Sequence, residues 1–291
     1  MRISHNISAM NTYRQYNANA ASANKSMEKL SSGSRINRAA DDAAGLSISE
    51  KMRSQIRGLT QGTRNAQDGV SFIQTAEGAL NEVSDMLTRL KELAVQVQNG
   101  SYSNDDKANI GAEMNALGTA ITEIYVNTKF NGSAVFGSQS GTTVLANNDG
   151  TGNAASIAYG ENATQTITIK AAKTTALNLL TVETADATTG ADAAAKAANA
   201  AAVSVTLVEN AITEVNTTRA AYGAQQNQLE HASNNMATTK ENLQAAESRV
   251  RDVDMAEEMM TYTKNNILLQ AAQSMLAQAN SQPQGVLQLL Q

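Results

Sequence analysis

A few residues have the types that enzymes and metal sites use, but each also has a structural interpretation. His5 and His231 are the only histidines and could ligate a metal together, yet they lie far apart in sequence. Asp41-Asp42 and Asp105-Asp106 are adjacent carboxylates of the kind that perform acid–base catalysis. Both pairs precede a predicted helix, where capping and the helix dipole favour them.

Sulfur chemistry gives no stronger signal. The chain has no cysteine, which excludes disulfide bonds and thiolate catalysis. Met255, Met259 and Met260 could bind a soft metal, but adaptable packing against neighbouring chains explains them much better. We therefore predict no catalytic residue, no metal site and no cofactor, and we expect a protein that is not an enzyme.

Charge and hydropathy argue against two classes of partner. The net charge is −5 and the basic residues are dispersed, which argues against nucleic acid. No apolar run is long enough to span a membrane, and the tail lacks the Lys and Arg of a membrane-surface helix. The first residues contain no apolar signal region, so we expect export without a cleavable signal peptide.

Long helices are predicted to carry these residues. Proline occurs once, and Ala with scattered Leu, Ile, Val and Met suits helices packed at close range. Apolar residues recur at steps of three and four from 4 to 30, until a Ser-Ser-Gly sequence interrupts them. The Asp41-Asp42 pair can cap a longer helix, whose heptad seam extends from Met52 to Val97 with one phase break after Ile73.

The next part of the chain is predicted to fold back on this helix and then to change character. Ser103, with Asp106 three residues later, can cap a helix that returns antiparallel to the long one. From about 129 to 189 the sequence is rich in Gly, Thr, Asn and Ser, and it predicts strands at 166–169 and 177–182. The apolar positions of the returning helix are Ile110, Met114, Leu117, Ile121 and Ile124.

The last third has the strongest periodicity, with bulky residues at intervals of seven and small or polar residues between them. The bulky series is Val208, Val215, Tyr222, Leu229, Met236, Leu243 and Val250. We therefore predict a mainly α protein, a long antiparallel helical coiled-coil bundle with a small β-rich insertion, in which both termini pair as helices.

The two ends of the chain are predicted to be assembly elements. No charged side chain occurs from residue 265 to 291, whereas a solvated surface helix normally carries charges. Two such helices cannot offset the entropy lost on ordering them, so we predict that both ends are disordered in the monomer and fold on assembly. The expected polymerisation core consists of Ile3, Ile7, Met10, Leu268, Leu269, Met275, Leu276, Leu287 and Leu290.

The start and the end of the chain should also meet if the long helices run antiparallel. Arg35 and Arg38 would then lie within about a Debye length, ~8 Å, of Asp252 and Asp254. We predict a charged cluster where the terminal helices join the rest of the chain.

Together these segments resemble bacterial flagellin. The resemblance covers about residues 1–136 and 200–291, and it is specific because many separate blocks occur in the family's order. The blocks are Met1-Arg2-Ile3-Ser4-His5-Asn6-Ile7, Leu30-Ser31-Ser32-Gly33, Arg35-Ile36-Asn37, Asp41-Asp42-Ala43-Ala44-Gly45-Leu46, Asn65-Ala66-Gln67-Asp68-Gly69, Thr75-Ala76-Glu77-Gly78-Ala79-Leu80, Leu229-Glu230-His231 and the tail from Gln278-Ala279-Asn280 to Leu290.

The resemblance implies three regions and a set of partners. Residues 1–40 with 253–291 would form the inner tube of a filament, 41–136 with 190–252 the long-helix bundle around it, and 137–189 a small variable surface region. Export through the flagellar type III system would place the protein in the extracellular flagellum. The implied partners are further copies of the chain, an export chaperone, and the cap and hook-junction proteins.

Flagellins detected by Toll-like receptor 5 carry an Arg-x-x-Glu-Leu-Ala-x-Gln stretch on the first long helix, which residues 89–96 match. The resemblance implies that Arg89 and Leu93, with Glu113 on the adjacent helix, contact the receptor. Arg89 has a second interpretation, in which it pairs with carboxylates of an adjacent subunit.

Two alternatives to a filament subunit remain at this point. Hook-filament junction proteins share the same ends and belong to the same class of molecule. A coiled-coil adhesin or an enzyme would belong to another class. Some family insertions hold a zinc protease with a His-Glu-x-x-His motif, but residues 137–189 contain no histidine.

Overall fold

The computed structural model of the chain describes residues 6–136, 153–160, 165–170 and 193–288. Within these residues the fold is mainly α, with two short antiparallel hairpins, as predicted. The helices are α1 (Ile7–Ser32), α2 (Ala43–Val97), α3 (Asn104–Asn127), α4 (Ala193–Ala202), α5 (Val205–Arg251) and α6 (Met255–Gln288). The strands are β1 (Lys129–Phe130), β2 (Ser133–Ala134), β3 (Asn153–Ala158) and β4 (Thr166–Lys170).

The chain forms two compact units. The terminal unit contains Met1–Ile56 and Glu241–Gln291, and the central unit contains Arg57–Lys240. Both boundaries fall inside the long helices α2 and α5. The division into three regions, with boundaries near residues 40 and 252, stays a prediction.

The predicted heptad seams form the core of the central unit. On α2 the predicted phase break is wrong, because the buried positions alternate steps of three and four without interruption, at Leu59, Gly62, Ala66, Gly69, Ile73, Ala76 and Leu80. Glycines take the places on this seam that were expected for Thr63 and Val70, which are only half-buried. The seam continues to the end of the helix through Val83, Leu87, Leu90, Ala94 and Val97. On α5 the bulky series is buried from Val208 to Met236.

The buried face of α3 differs from the predicted one. Met114 and Ile121 are buried as expected, but Ile110, Leu117 and Ile124 are only half-buried. The other buried positions are Gly111, Gly118 and Tyr125. Because α3 packs against the alanine-rich helix α4, a face with glycines allows a closer approach than a face of isoleucines.

The β3–β4 hairpin packs onto α2 and α5. Its alternating strand residues Ile167 and Ile169 are buried, which confirms the strand predicted at 166–169, whereas the one predicted at 177–182 lies outside the described residues. The side-chain amide of Asn65 on α2 donates a hydrogen bond of 2.8 Å to the carbonyl of Ala158. The glycine Gly62, one turn earlier, lies directly under the carbonyl of Tyr159.

Two glycines of α2 are expected to respond oppositely to substitution by alanine. A Cβ at Gly62 would collide with the Tyr159 backbone, so Gly62→Ala should destabilise the central unit by about 1–3 kcal/mol. Gly78 has no atom within 4 Å of its would-be Cβ, so Gly78→Ala should stabilise α2 by about 0.5–1 kcal/mol. Urea unfolding followed by circular dichroism measures both, and a loss of stability in both variants would contradict the packing described.

Candidate assembly surface

The terminal unit contains α1 and α6, which pack against each other as an antiparallel pair. The Asn6 amide donates to the carbonyl of Ala279 at 2.8 Å near one end, and the Lys29 ammonium lies 3.5 Å from the Glu258 carboxylate near the other. Asn6 also caps α1 by accepting a hydrogen bond from the Ala9 N–H. The predicted pairing of the two termini as helices is therefore confirmed.

This helix pair has almost no core of its own. In α1, a helix of 26 residues, only Ser26 is buried. In the part of α6 whose side chains are described, only Ala272 is buried. The half-buried seam of α6 repeats at steps of four and three and includes Tyr262, Leu269 and Leu276. The contact between α1 and α6 is thus narrow and consists mainly of small or half-exposed residues.

Large apolar side chains instead cover the outer faces of both helices. Ile267 and Met275 on α6 are 61% and 62% exposed, and the stretch around them has no charged residue. The exposed set in this unit consists of Ile7, Met10, Tyr13, Met27, Ile48, Met255, Met259, Met260, Ile267, Leu268 and Met275. An apolar surface of this kind is typical of an interaction site.

The predicted polymerisation residues divide into three groups. Ile7, Met10, Leu268 and Met275 are exposed on the outer faces. Leu269 and Leu276 are half-buried in the seam between α1 and α6. The remaining three, Ile3, Leu287 and Leu290, lie outside the residues whose side chains are described.

A backbone clasp joins the segment after α1 to the segment before α6. Ser34 and Asp252 form an antiparallel β-bridge, with the Arg35 N–H donating to the Arg251 carbonyl at 2.6 Å. Next to it, the Val253 N–H donates to the carbonyl of Gly33, whose φ of 69° ends α1 in the left-handed region. The clasp holds the C-terminal end of α1 beside the N-terminal end of α6.

The charged side chains at this clasp have hydrogen-bond or ion-pair partners. The Arg35 guanidinium donates to the Val250 carbonyl at 2.7 Å, and Arg38 pairs with Glu28 at 3.0 Å. Asp252 accepts a hydrogen bond from the Ser248 hydroxyl at 2.6 Å, and Asp254 caps α6. In the part of the chain that the structure describes, no ion pair joins Arg35 or Arg38 to either aspartate, and the predicted cluster within a Debye length, ~8 Å, stays a prediction.

Asp41 is the most strongly perturbed carboxylate near the clasp. The Lys25 ammonium lies 2.8 Å from one of its oxygens, and the N–H groups of Asn37 and Arg38 donate to the other at 3.2 and 3.1 Å. The hydrogen bond from Lys25, followed by the two backbone N–H donors, lowers the pKa of Asp41 to about 2. Its neighbour Asp42 is the residue that caps α2, through the Gly45 N–H.

Acid is expected to release this link. Because the pKa of Asp41 in the folded chain lies below its ordinary value of 3.8, the link stabilises the terminal unit above that pH and is lost as the pH falls through about 2. In the assembled state, where α1 is expected to be ordered, the amide NMR signals of Asn37 and Arg38 should titrate with that midpoint. Asp41→Asn should abolish the titration, Lys25→Met should raise its midpoint, and a midpoint near 3.8 in the unmodified chain would refute the interaction.

A separate polar cluster lies in the central unit, on α2 and α3. The Arg89 guanidinium donates to Glu113 at 3.1 and 2.9 Å and to Glu92 at 3.0 Å. Its pKa is raised by Glu113 first and by Glu92 second. Leu93, in contrast, is 1% exposed, so the structure assigns it to the core and not to a surface that a partner could contact directly.

The segment that joins these two helices is fixed by local hydrogen bonds. The Ser103 hydroxyl accepts from the Asp106 N–H while the Asp106 carboxylate accepts from the Ser103 N–H, which is the capping box that the sequence predicts. The Asp105-Asp106 pair is therefore part of a helix start.

Comparison with known families decides what kind of chain carries these helices. The family model described as the bacterial flagellin N-terminal helical region matches residues 3–142. The model described as the bacterial flagellin C-terminal helical region matches residues 205–290. The chain belongs to the bacterial flagellin family.

Individual relatives match along their whole length. This flagellin is 48% identical to the flagellin of Bacillus subtilis (strain 168), over all of both chains. It is 46% identical to the flagellin of Halalkalibacterium halodurans and 44% identical to the flagellar filament 30.7 kDa core protein of Treponema maltophilum, again over all of both chains. The crystal structure of Bacillus cereus flagellin has a TM-score of 0.41 and 28% identity, covering 60% of this chain and 88% of that one.

Neither a metal site nor a membrane span is found in the part of this flagellin that the structure describes. None of its His, Cys, Asp and Glu residues there form a group of three or more that could hold a metal ion. None of its helices there is long and apolar enough to cross a membrane. His5 lies outside the described residues, so the possible pairing with His231 stays untested.

Proposed function

We propose that the chain is a structural subunit that assembles with further copies of itself into the helical bacterial flagellar filament. One observation carries this proposal: among the side chains that the structure describes, α1 and α6 expose large apolar residues and bury only Ser26 and Ala272. Other copies of the chain are the partner that can cover both outer faces at once. Head-to-tail contacts that do not close into a ring generate a helical filament.

The same proposal assigns a place to each region of the chain. Residues 1–40 with 253–291 form the inner tube, because they carry the exposed apolar faces. Residues 41–136 with 190–252 form the surrounding bundle, and residues 137–189 lie on the filament surface. The subunit has no enzymatic role, is exported to the cell exterior, and meets an export chaperone, a cap protein and hook-junction proteins on the way.

Electron microscopy of concentrated purified protein tests the proposal. We expect long helical filaments of uniform diameter. Short polymers would favour the alternative of a hook-filament junction protein. Protein that stays monomeric even when it is highly concentrated would refute self-assembly.

We further propose that Toll-like receptor 5 detects the monomer through the exposed Arg89–Glu113 pair. Arg89 and Glu113 are about half exposed, at 52% and 47% of their side-chain area, and they lie on adjacent helices. Leu93, one helical turn after Arg89, is buried and therefore does not belong to this exposed pair. The pair can also contact a neighbouring subunit, because a surface covered in the filament is free in the monomer.

Arg89→Asp is expected to lower the potency of the monomer at least about tenfold in a receptor reporter-cell assay. The substitution removes the guanidinium and places a third carboxylate beside Glu92 and Glu113. Lys91→Asp is the matched control, since it changes a similarly exposed cation of α2 that pairs with Glu209 instead. Full signalling by the Arg89 variant, with its helix content intact, would count against the receptor proposal.

A further inference from the structure

We propose that the exposed methionines of α1 and α6 are oxidation sites at which peroxide converts the subunit into a form that cannot assemble. The proposal rests on the assembly function above and adds a chemical control of it. The terminal methionines, as we name this set, are Met10, Met27, Met255, Met259, Met260 and Met275.

The methionines of the terminal helices are exposed, whereas those of the central unit are buried or half-buried. Each terminal methionine is between 50% and 68% exposed. In the central unit, Met114 and Met236 are 0% and 4% exposed, and Met86 is half-buried. Among the described residues, all methionines with at least half of their area exposed therefore lie on α1 and α6, the two helices proposed to form the polymer core.

The chemistry needs only a two-electron oxidant of the peroxide class. A lone pair of the thioether sulfur attacks one oxygen of hydrogen peroxide, the O–O bond breaks, and an S–O bond forms. After proton transfer the products are methionine sulfoxide and one molecule of water, so the sulfur is oxidised and the peroxide reduced. The rate at each site depends on access of the oxidant, which separates the terminal methionines from Met114 and Met236.

Oxidation changes the property that assembly requires. A thioether is apolar and adaptable, whereas a sulfoxide is polar and accepts hydrogen bonds strongly. The exposed face of α6 is apolar around Ile267, Leu268 and Met275, so a sulfoxide covered there by another apolar surface would lack a donor. Met255 and Met259, one helical turn apart, place two such groups side by side. Assembled subunits should be protected because their neighbours exclude the oxidant.

The test uses the full chain and hydrogen peroxide. Monomer is treated for increasing times, and the sulfoxide at each methionine is measured by peptide mass spectrometry. The terminal methionines should oxidise at least about tenfold faster than Met114 and Met236, and the critical concentration for assembly should rise at least about tenfold. In preformed filaments the same methionines should oxidise about tenfold more slowly than in monomer. Equal rates at terminal and core methionines, or unchanged assembly after full oxidation, would overturn the proposal.

Two further measurements distinguish a failure of the oxidation proposal from a failure of the assembly function on which it rests. Untreated chain that forms no filaments refutes the assembly function, whereas treated chain that assembles normally refutes only the oxidation control. Enzymatic reduction of the sulfoxides in the oxidised chain should restore assembly, and failure to restore it would contradict a reversible effect at these sites.

Discussion

Ile267→Asp is expected to abolish filament formation while leaving the central unit folded. Ile267 is 61% exposed on the uncharged face of α6, so the substitution leaves the buried core of the chain unchanged. Assembly would bury the new carboxylate against apolar neighbours, and an unpaired buried charge costs several kcal/mol. Because every subunit repeats the contact, the cost recurs along the whole polymer. The expected result is a rise in critical concentration of at least about a thousandfold, measured by sedimentation and electron microscopy.

Ile267→Leu is the matched control for this variant. It keeps the apolar surface and nearly the same volume, so its critical concentration should stay within about tenfold of wild type. Circular dichroism checks that both variants keep the helix content of the monomer. Normal filaments from Ile267→Asp would show that this face is solvated in the polymer, and the assignment of α6 to the inner contact would then be wrong.

The second large effect concerns the order of α1 and α6 before assembly. Ordering each residue costs roughly 1–2 kcal/mol, and α1 alone contains 26 residues. Burial of Ser26 and Ala272 offsets only a small part of that cost. We therefore expect the amides of both helices to exchange hydrogen within about tenfold of the unstructured rate in the monomer. In the filament the same amides should be strongly protected.

The central unit provides the internal control for hydrogen exchange. Leu80, Leu87 and Leu90 on α2 are fully buried, so amides around them should be protected at least about a thousandfold in monomer and filament alike. The contrast between these two sets of amides in one sample removes differences in solution conditions. Strong protection of α1 and α6 in the monomer would contradict the prediction that assembly orders them.

Two ion pairs lie near the backbone clasp that joins the segments after α1 and before α6. Arg251 pairs with Glu50 at 3.0 Å within the terminal unit, and Lys25 links α1 to Asp41. These side chains are partly or largely exposed, so each pair contributes little stability by itself. Lys25–Asp41 links α1 to the turn before α2, and Arg251–Glu50 links α5 to α2, so both pairs lie within the terminal unit.

Local rules explain why the helices, caps and seams were predictable from sequence. The positions of Ser103 and Asp106 determine a capping box because both partners lie within one helical turn. The heptad series of α5 from Val208 to Met236 predicts burial because every helix with that repeat places those residues on one face. The alternation at 166–169 likewise determines a half-buried strand.

The sequence could not determine which side chains contact each other when they lie far apart in the chain. The sequence predicts that Arg35 and Arg38 lie near Asp252 and Asp254, but only the structure shows which groups bind those carboxylates, namely the Ser248 hydroxyl and the N–H groups at the start of α6. For α3, periodicity predicts that Ile110, Leu117 and Ile124 lie on the buried face, whereas the folded chain buries Gly111, Gly118 and Tyr125 instead.

For the predicted polymerisation residues, too, the sequence determined one part of the answer and the tertiary structure the other. The sequence by itself determined that both termini are helices with an excess of apolar surface, because spacing and the lack of charge are local properties. Only the tertiary structure decided that Leu269 and Leu276 lie in the seam with α1 while Leu268 and Met275 face outward. Residues one position apart differ by about 100° around a helix, so the direction from which α1 packs assigns each of them its role.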